Sequence, residues 1–79
     1  MHFSETRVTD TFLAKGPDGQ SHQVNEMTEF IETTPLGSAH KEWTPGLRRF
    51  ELDNGDAVNM LSPTRFRVVR TGVRLTKMG

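Results

Sequence analysis

The sequence predicts an all-β domain that folds as a small antiparallel meander or roll. Its C-terminal half carries apolar residues at alternate positions in several short segments, a period that is typical of strands with one buried face. Residues such as Gly, Pro, Asn and Asp separate these segments, as tight turns require. With 79 residues and no Cys, the chain is predicted to form one domain, 1–79, around a small core that no disulfide reinforces.

The N-terminal half is predicted to open with a hairpin. The first strand covers Arg7–Ala14, and Lys15–Gln20 is a strong turn because Pro, Asp and Gly follow one another there. The next segment, Ser21–Thr34, is ambiguous. Its Thr residues and its position after a hairpin turn favour a strand, bulged where the apolar parity changes. The spacing of its apolar residues also fits a short helix near residues 25–32.

A long connection is predicted next, from Pro35 to Gly46. The Thr44–Gly46 segment suits a type II turn, with Pro45 fixing one φ angle and Gly46 taking a positive φ. Loops of this length are often functional in compact domains.

The C-terminal half is predicted to contain four strands: Leu47–Leu52, Ala57–Leu61, Arg65–Arg70 and Val73–Lys77. Between the first two, Asn54-Gly55 is the signature of a two-residue type I′ hairpin. The residues that share the buried face are predicted to be Phe50, Leu52, Val58, Met60, Phe66, Val68, Val73 and Leu75. Five to six strands of this length imply a roll or a partly open SH3-like barrel.

The C-terminal half also contains the motif Phe50-x-Leu52-x-Asn54-Gly55-x-x-Val58-Asn59, followed by Phe66-x-Val68 and Thr71-Gly72-x-x-Leu75-Thr76. This succession resembles small β-rich proteobacterial proteins of no known activity, in which an aromatic-x-Leu strand, a Gly turn, an Asn-bearing strand and a Thr-Gly turn recur. Thr6–Glu32 is similar in outline, so the resemblance covers about two thirds of the chain. It implies a fold and assigns no site.

No catalytic or metal-binding signature is present, and we expect the protein not to be an enzyme and to need no cofactor. His2, His22 and His40 have no metal-ligand spacing, and there is no Cys to join them. Ser38 lies near His40, but nothing in the sequence orients the two for nucleophilic catalysis. The Gly residues are dispersed and form no phosphate-binding loop.

The charges are distributed unevenly although the net charge is zero. Residues 1–46 carry an excess of about four negative charges, and residues 47–79 a matching positive excess. The simplest interpretation is cross-strand ion pairing. The alternative is a basic strip that binds an anionic partner, formed by Arg65, Arg67, Arg70 and Arg74.

The function we expect is that of a small binding module whose partner is another protein, acting as a monomer or weak homodimer. Its contact site is predicted where the long connection meets the following strand, and consists of His40, Lys41, Trp43, Arg48 and Arg49. Trp and Arg are enriched at binding hot spots. The interpretation we set against this is that Trp43 folds back onto the core. The alternative function is nucleic-acid binding through the Arg-rich strands and Trp43.

The cytoplasm is the expected location. The apolar runs are far shorter than the roughly 20 residues that a spanning helix needs, and the N-terminal residues lack a signal-peptide pattern. We therefore expect no membrane partner.

Overall fold

The protein is a closed, six-stranded antiparallel barrel in the computed structural model, which describes residues 3–34 and 41–78. The strands are β1 (Ser4–Lys15), β2 (Ser21–Thr33), β3 (Glu42–Leu52), β4 (Ala57–Ser62), β5 (Arg65–Val68) and β6 (Arg74–Lys77). They pair in sequence order, and β6 closes the barrel on Ala14 and Lys15 of β1. The predicted small all-β barrel is confirmed. No helix in the described residues is long and apolar enough to cross a membrane.

The core fills the interior of the barrel with side chains from all six strands. Its buried residues are Ala14, Val24, Phe50, Leu52, Val58, Phe66, Val68 and Leu75, and Phe12 packs against them. Three aromatic rings meet at its centre, since the centroid of Phe66 lies 5.1 Å from that of Phe12 and 5.2 Å from that of Phe50. Such spacing is favourable for tilted and edge-to-face rings.

Six of the eight predicted core residues are buried, and the prediction is wrong for Met60 and Val73. Met60 pairs with Phe66, but β4 then slips in register before Ser62, and the Met60 side chain stays half exposed. Val73 precedes β6, and its carbonyl accepts a hydrogen bond from the Val68 amide at 2.8 Å, which closes a turn. That turn ends β5 at Val68, two residues before the predicted end.

Ser21–Thr33 is a strand, and the helix alternative is wrong. The bulge predicted within this strand is wrong, because the extra residues lie in the two neighbouring strands, β1 and β3. In β1, Thr9 is an extra residue between Val8, which pairs with Met27, and Asp10, which pairs with Glu26. In β3, Gly46 and Leu47, which lie between Pro45 and Arg48, stand opposite the single residue Glu29 of β2. The bulge at Thr9 reverses the parity of β1 and leaves Val8 exposed.

Gly55 has a φ of 93°, as the Asn-Gly turn predicts. The two-residue type I′ geometry is wrong, because no residue other than glycine in the described ranges has a positive φ. The Leu52 amide donates to the Asp56 carbonyl at 2.8 Å, and the Gly55 amide donates to the Leu52 carbonyl at 2.9 Å. This pattern is a three-residue hairpin that ends in a glycine bulge.

The long connection is shorter than predicted, because β3 begins at Glu42 and continues through Thr44–Gly46. The predicted type II turn there is wrong: Thr44 and Pro45 pair with β2, and Gly46 has no positive φ. The part of this connection at Pro35–His40 lies outside the described residues.

The molecule is elongated, with principal extents of 55 × 25 × 19 Å and a radius of gyration of 15.9 Å. A compact domain of this length has a radius of gyration of about 12 Å. The excess comes from β1, β2 and β3, which have 12, 13 and 11 residues, whereas β4, β5 and β6 have at most six. At about 3.3 Å per residue, the long strands extend well past the short ones.

Candidate protein-binding face

The long strands form a three-stranded sheet that projects from the barrel, and we call this sheet the extension. It consists of Ser4–Val8 of β1, residues 27–33 of β2 and residues 42–49 of β3. In this region β2 is the central strand. The outer edges of β1 and β3 pair with no strand of the barrel here. Among the described residues, contacts occur only between strands that are neighbours in the barrel, so neither face of the extension is covered by a second layer.

One face of the extension carries the aromatic residues, and we call it the aromatic face. The register places Phe3 beside Glu32, Glu5 beside Phe30, and Trp43 beside Glu32. Because side chains alternate between the faces of a strand, these residues and Arg7 project to the same side. Trp43 is 41% exposed and Phe3 is 51% exposed.

Arg7 organises the aromatic face. Its guanidinium carbon lies 5.1 Å from the ring centroid of Phe30 and 5.5 Å from that of Trp43. Its Nη2 donates to Glu5 Oε2 at 2.8 Å. A guanidinium within about 6 Å of an aromatic face is attracted to the negative face of the ring. The cation therefore joins two rings of neighbouring strands, and Trp43 remains partly exposed beside it.

The structure separates the predicted binding residues into two groups. Lys41, Trp43 and Arg48 project to the aromatic face by register, whereas Arg49 follows Arg48 and projects to the opposite face. Arg49 lines a shallow groove of about 230 Å³, and the other lining residues are Thr6, Met27, Glu29, Leu47 and Arg48. His40 lies outside the described residues.

The basic residues of the predicted site are neutralised by acidic neighbours. Lys41 Nζ lies 3.2 Å from Glu32 Oε1, and Arg48 Nη1 lies 3.7 Å from Glu26 Oε2. Arg49 Nε lies 3.4 Å from Glu51 Oε1 on the same strand. The corner around Trp43 is therefore an aromatic surface with balanced charges and does not form a basic patch.

Arg7 and Phe30 belong to this face but were not predicted to do so. The sequence contains a signal for Arg7 only, because Phe3, Glu5 and Arg7 alternate along the start of β1 and so share one face. Their position beside Trp43 depends on the pairing of β1 with β2 and of β2 with β3. The bulge at Thr9 also shifts Arg7 onto the face that Val8 would otherwise occupy.

The predicted basic strip is formed in part on the barrel. Arg67 of β5 lies directly opposite Arg74 of β6, and Arg65 lies two residues along the same face of β5. Among the described residues, none of these three side chains takes part in an ion pair, so the expectation of cross-strand ion pairing is wrong for them. Like charges directly opposite on neighbouring strands repel each other.

Arg70 is separate from the other three arginines because it binds Asp56. Its Nε and Nη2 donate to Asp56 Oδ1 and Oδ2 at 3.2 and 3.0 Å. These hydrogen bonds and the charge of Arg70 lower the pKa of Asp56, and Asp56 in turn raises the pKa of Arg70. Asp56, Arg70 and His22 all line a cavity of about 400 Å³ at the turn end of the barrel.

No protein-family model matches the chain, no curated protein matches its sequence, and no solved structure matches its fold.

Proposed function

We propose that the protein is a non-enzymatic binding module and that the aromatic face is its contact surface for another protein. The observation that supports this most directly is Trp43, which is 41% exposed and stacked on Arg7 in a sheet that no second layer covers. Trp and Arg are the residues most often found at binding hot spots. An exposed apolar surface on a small domain commonly marks an interaction site.

The charges of the aromatic face favour a protein partner. Arg7 is paired with Glu5, and Lys41 is paired with Glu32, so acidic oxygens lie among the cations. A polyanion would be repelled by these carboxylates, whereas a protein surface can supply both donors and acceptors. Because the sequence has no Cys, we also propose that the protein acts in the cytoplasm, where disulfides are rare.

Trp43 gives this proposal a specific optical test, because it is the only Trp and the chain has no Tyr. Once a candidate partner is available, its addition is expected to shift the emission of Trp43 to shorter wavelength and to protect it from acrylamide quenching. Trp43→Ala is expected to weaken the affinity by tenfold or more, the loss typical of a hot-spot residue.

Val69→Ala is the control, because Val69 is an apolar residue that is 52% exposed on the barrel, away from the extension. It is expected to leave the affinity unchanged. A partner that binds Trp43→Ala as tightly as the native protein, or that perturbs amide shifts only in β4–β6, would exclude the aromatic face as the contact surface.

A second candidate function is nucleic-acid binding through the basic strip, and the observation that favours it is the opposition of Arg67 and Arg74. A phosphate between these guanidiniums would relieve their repulsion. Trp43 lies apart from this strip along β3, which meets β4 only at Phe50 and Glu51. Any binding would therefore depend on phosphate contacts more than on base stacking.

The salt dependence of the binding constant distinguishes nucleic-acid binding by the basic strip from protein binding by the aromatic face. If Arg65, Arg67 and Arg74 each contact a phosphate of single-stranded DNA, the logarithm of the binding constant should fall against the logarithm of salt concentration with a slope of about −2. Arg67→Gln should reduce that slope. Absence of binding at low salt, or binding that Arg67→Gln leaves unchanged, would exclude the strip.

A further inference from the structure

The free edge of β1 is the feature from which we infer a second interaction surface. β1 pairs with β2 along its length, but on its other side it meets β6 only at Ala14 and Lys15. From Ser4 to Val8 no strand of the described chain lies on that side. An edge of this kind presents a row of main-chain donors and acceptors to any strand that can reach it.

The direction of these donors follows from one hydrogen bond. The Glu32 amide donates to the Phe3 carbonyl at 2.9 Å, so the main chain of Phe3 faces β2. Main-chain groups alternate in direction along an antiparallel strand, and Glu5 and Arg7 therefore also face β2. The N–H and C=O groups of Ser4, Thr6 and Val8 face outward, away from the sheet.

The opposite edge of the extension is protected against pairing. By the same alternation, the nitrogen of Pro45 faces the outer side of β3, where it has no hydrogen to donate. The register slip that follows also interrupts that edge. Proline and bulges are the usual means by which proteins blunt an exposed strand. Ser4–Val8 of β1 contains neither, so only this edge of the extension is regular.

We propose that this edge pairs with the same edge of a second copy of the chain, antiparallel, around a two-fold axis at Thr6. Thr6 then lies opposite Thr6 of the second copy, and Ser4 lies opposite Val8. All of these residues have outward-facing main-chain groups, so the pairing forms about six hydrogen bonds. The interface is a continuous sheet that runs through both extensions.

Charge complementarity selects this register over its neighbours. With the axis at Thr6, Glu5 of each copy lies directly opposite Arg7 of the other, at a position where antiparallel side chains approach most closely. An axis at Glu5 would place the two copies of Glu5 opposite each other, and an axis at Arg7 would do the same for Arg7. A shift by one residue from any of these registers would set opposite each other residues whose side chains project to different faces of the sheet.

The proposed assembly is closed. Its outer edges are the two β3 strands, each blunted by Pro45, so a third copy has no regular edge to join. Pairing through the main chain of β1 also leaves both aromatic faces on one side of the joined sheet. The dimer would therefore present two copies of the proposed protein-binding face, although its formation does not depend on that function.

Sedimentation velocity over a concentration series tests the assembly with the full chain and no added partner. The native protein is expected to approach twice its 8.9 kDa mass as the concentration rises. Glu5→Arg places like charges opposite each other twice, and it should weaken the dimer about tenfold or more. Arg7→Glu should do the same, and the double variant with both substitutions should recover the dimer, because the charges are then exchanged.

Glu42→Arg is the matched control: it makes the same change at an exposed position of β3. It should leave the dimer unchanged. Thr6→Pro removes an outward-facing donor without breaking a bond to β2, so it should yield a folded monomer even if Arg7→Glu is too unstable to study. Circular dichroism confirms that each variant is folded.

Amide hydrogen exchange gives an independent readout. The amides of Thr6 and Val8 should be protected only at high protein concentration, whereas the Arg7 amide, which faces β2, should be protected throughout. A native protein that remains monomeric at millimolar concentration would overturn the proposal. So would a dimer that Glu5→Arg and Thr6→Pro leave intact, or a double variant that does not recover it.

Discussion

The Phe66→Ala substitution tests the core on which the barrel depends. Phe66 is 2% exposed and is the largest of the fully buried side chains. Its ring contacts Phe12 and Phe50, with centroid distances of 5.1 and 5.2 Å. Truncation to Ala removes the ring that joins the other two, whose own centroids are 6.4 Å apart.

The expected loss is about 3–5 kcal/mol of unfolding free energy, the usual range for Phe→Ala at a buried site. A domain of 79 residues has a total stability of about 4–12 kcal/mol. The substitution should therefore remove about a quarter or more of the total and can leave the variant largely unfolded at 25 °C. The eight buried apolar residues provide few other contacts to compensate.

Urea denaturation followed by far-UV circular dichroism measures this loss. Phe3→Ala is the matched control, because Phe3 is 51% exposed on the extension and its loss should change the stability by no more than about 0.5 kcal/mol. If Phe66→Ala melts within a few degrees of the native protein, or if the two variants lose equal stability, the aromatic cluster does not hold the barrel together.

Three further substitutions test the turn, the stacked arginine and the exposed ion pair. Gly55→Val should cost about 1–3 kcal/mol in urea denaturation, because a β-branched residue at a φ of 93° is strained; an unchanged midpoint would contradict the hairpin geometry. Arg7→Ala should cost about 0.5–1 kcal/mol and make Trp43 more accessible to acrylamide; unchanged quenching would show that the cation does not cover the ring. Arg70→Gln should raise the pKa of Asp56 towards its usual value in an NMR titration. Since that pKa is lowered in the folded protein, the stabilisation is present above the usual Asp range and is lost as pH falls through the lowered pKa. The variant should lack this part of the acid dependence, and an identical titration in both proteins would refute the assignment.

The extension gives the molecule two surfaces with different physical characters. The aromatic face offers side chains, and its affinity for a partner would come from burial of Trp43 and directed bonds from Arg7. The edge of β1 offers main-chain groups, and its selectivity would come from the Glu5 and Arg7 charges alone. The predictions for the two surfaces are separable, because Trp43→Ala should leave the dimer intact and Thr6→Pro should leave the aromatic side chains in place.

The sequence by itself determined the features that depend on neighbouring residues. Alternation predicted the strands and most of the buried face from Phe50 to Leu75, and the Asn-Gly pair predicted the positive φ of Gly55. These features follow from local rules, because the side-chain period is two and only Gly adopts that backbone angle without strain.

Only the tertiary structure decided where the alternation of side chains between the two faces of a strand is interrupted and where strands begin. The bulge at Thr9 exposes Val8, and pairing with β2 makes Thr44–Gly46 a strand although Pro and Gly suggest a turn. The same pairing brings Arg7 of β1 to Trp43 of β3 and keeps that ring away from the core. Such contacts join residues far apart in the chain. Because their energies depend on which strands pair, no local sequence pattern predicts them.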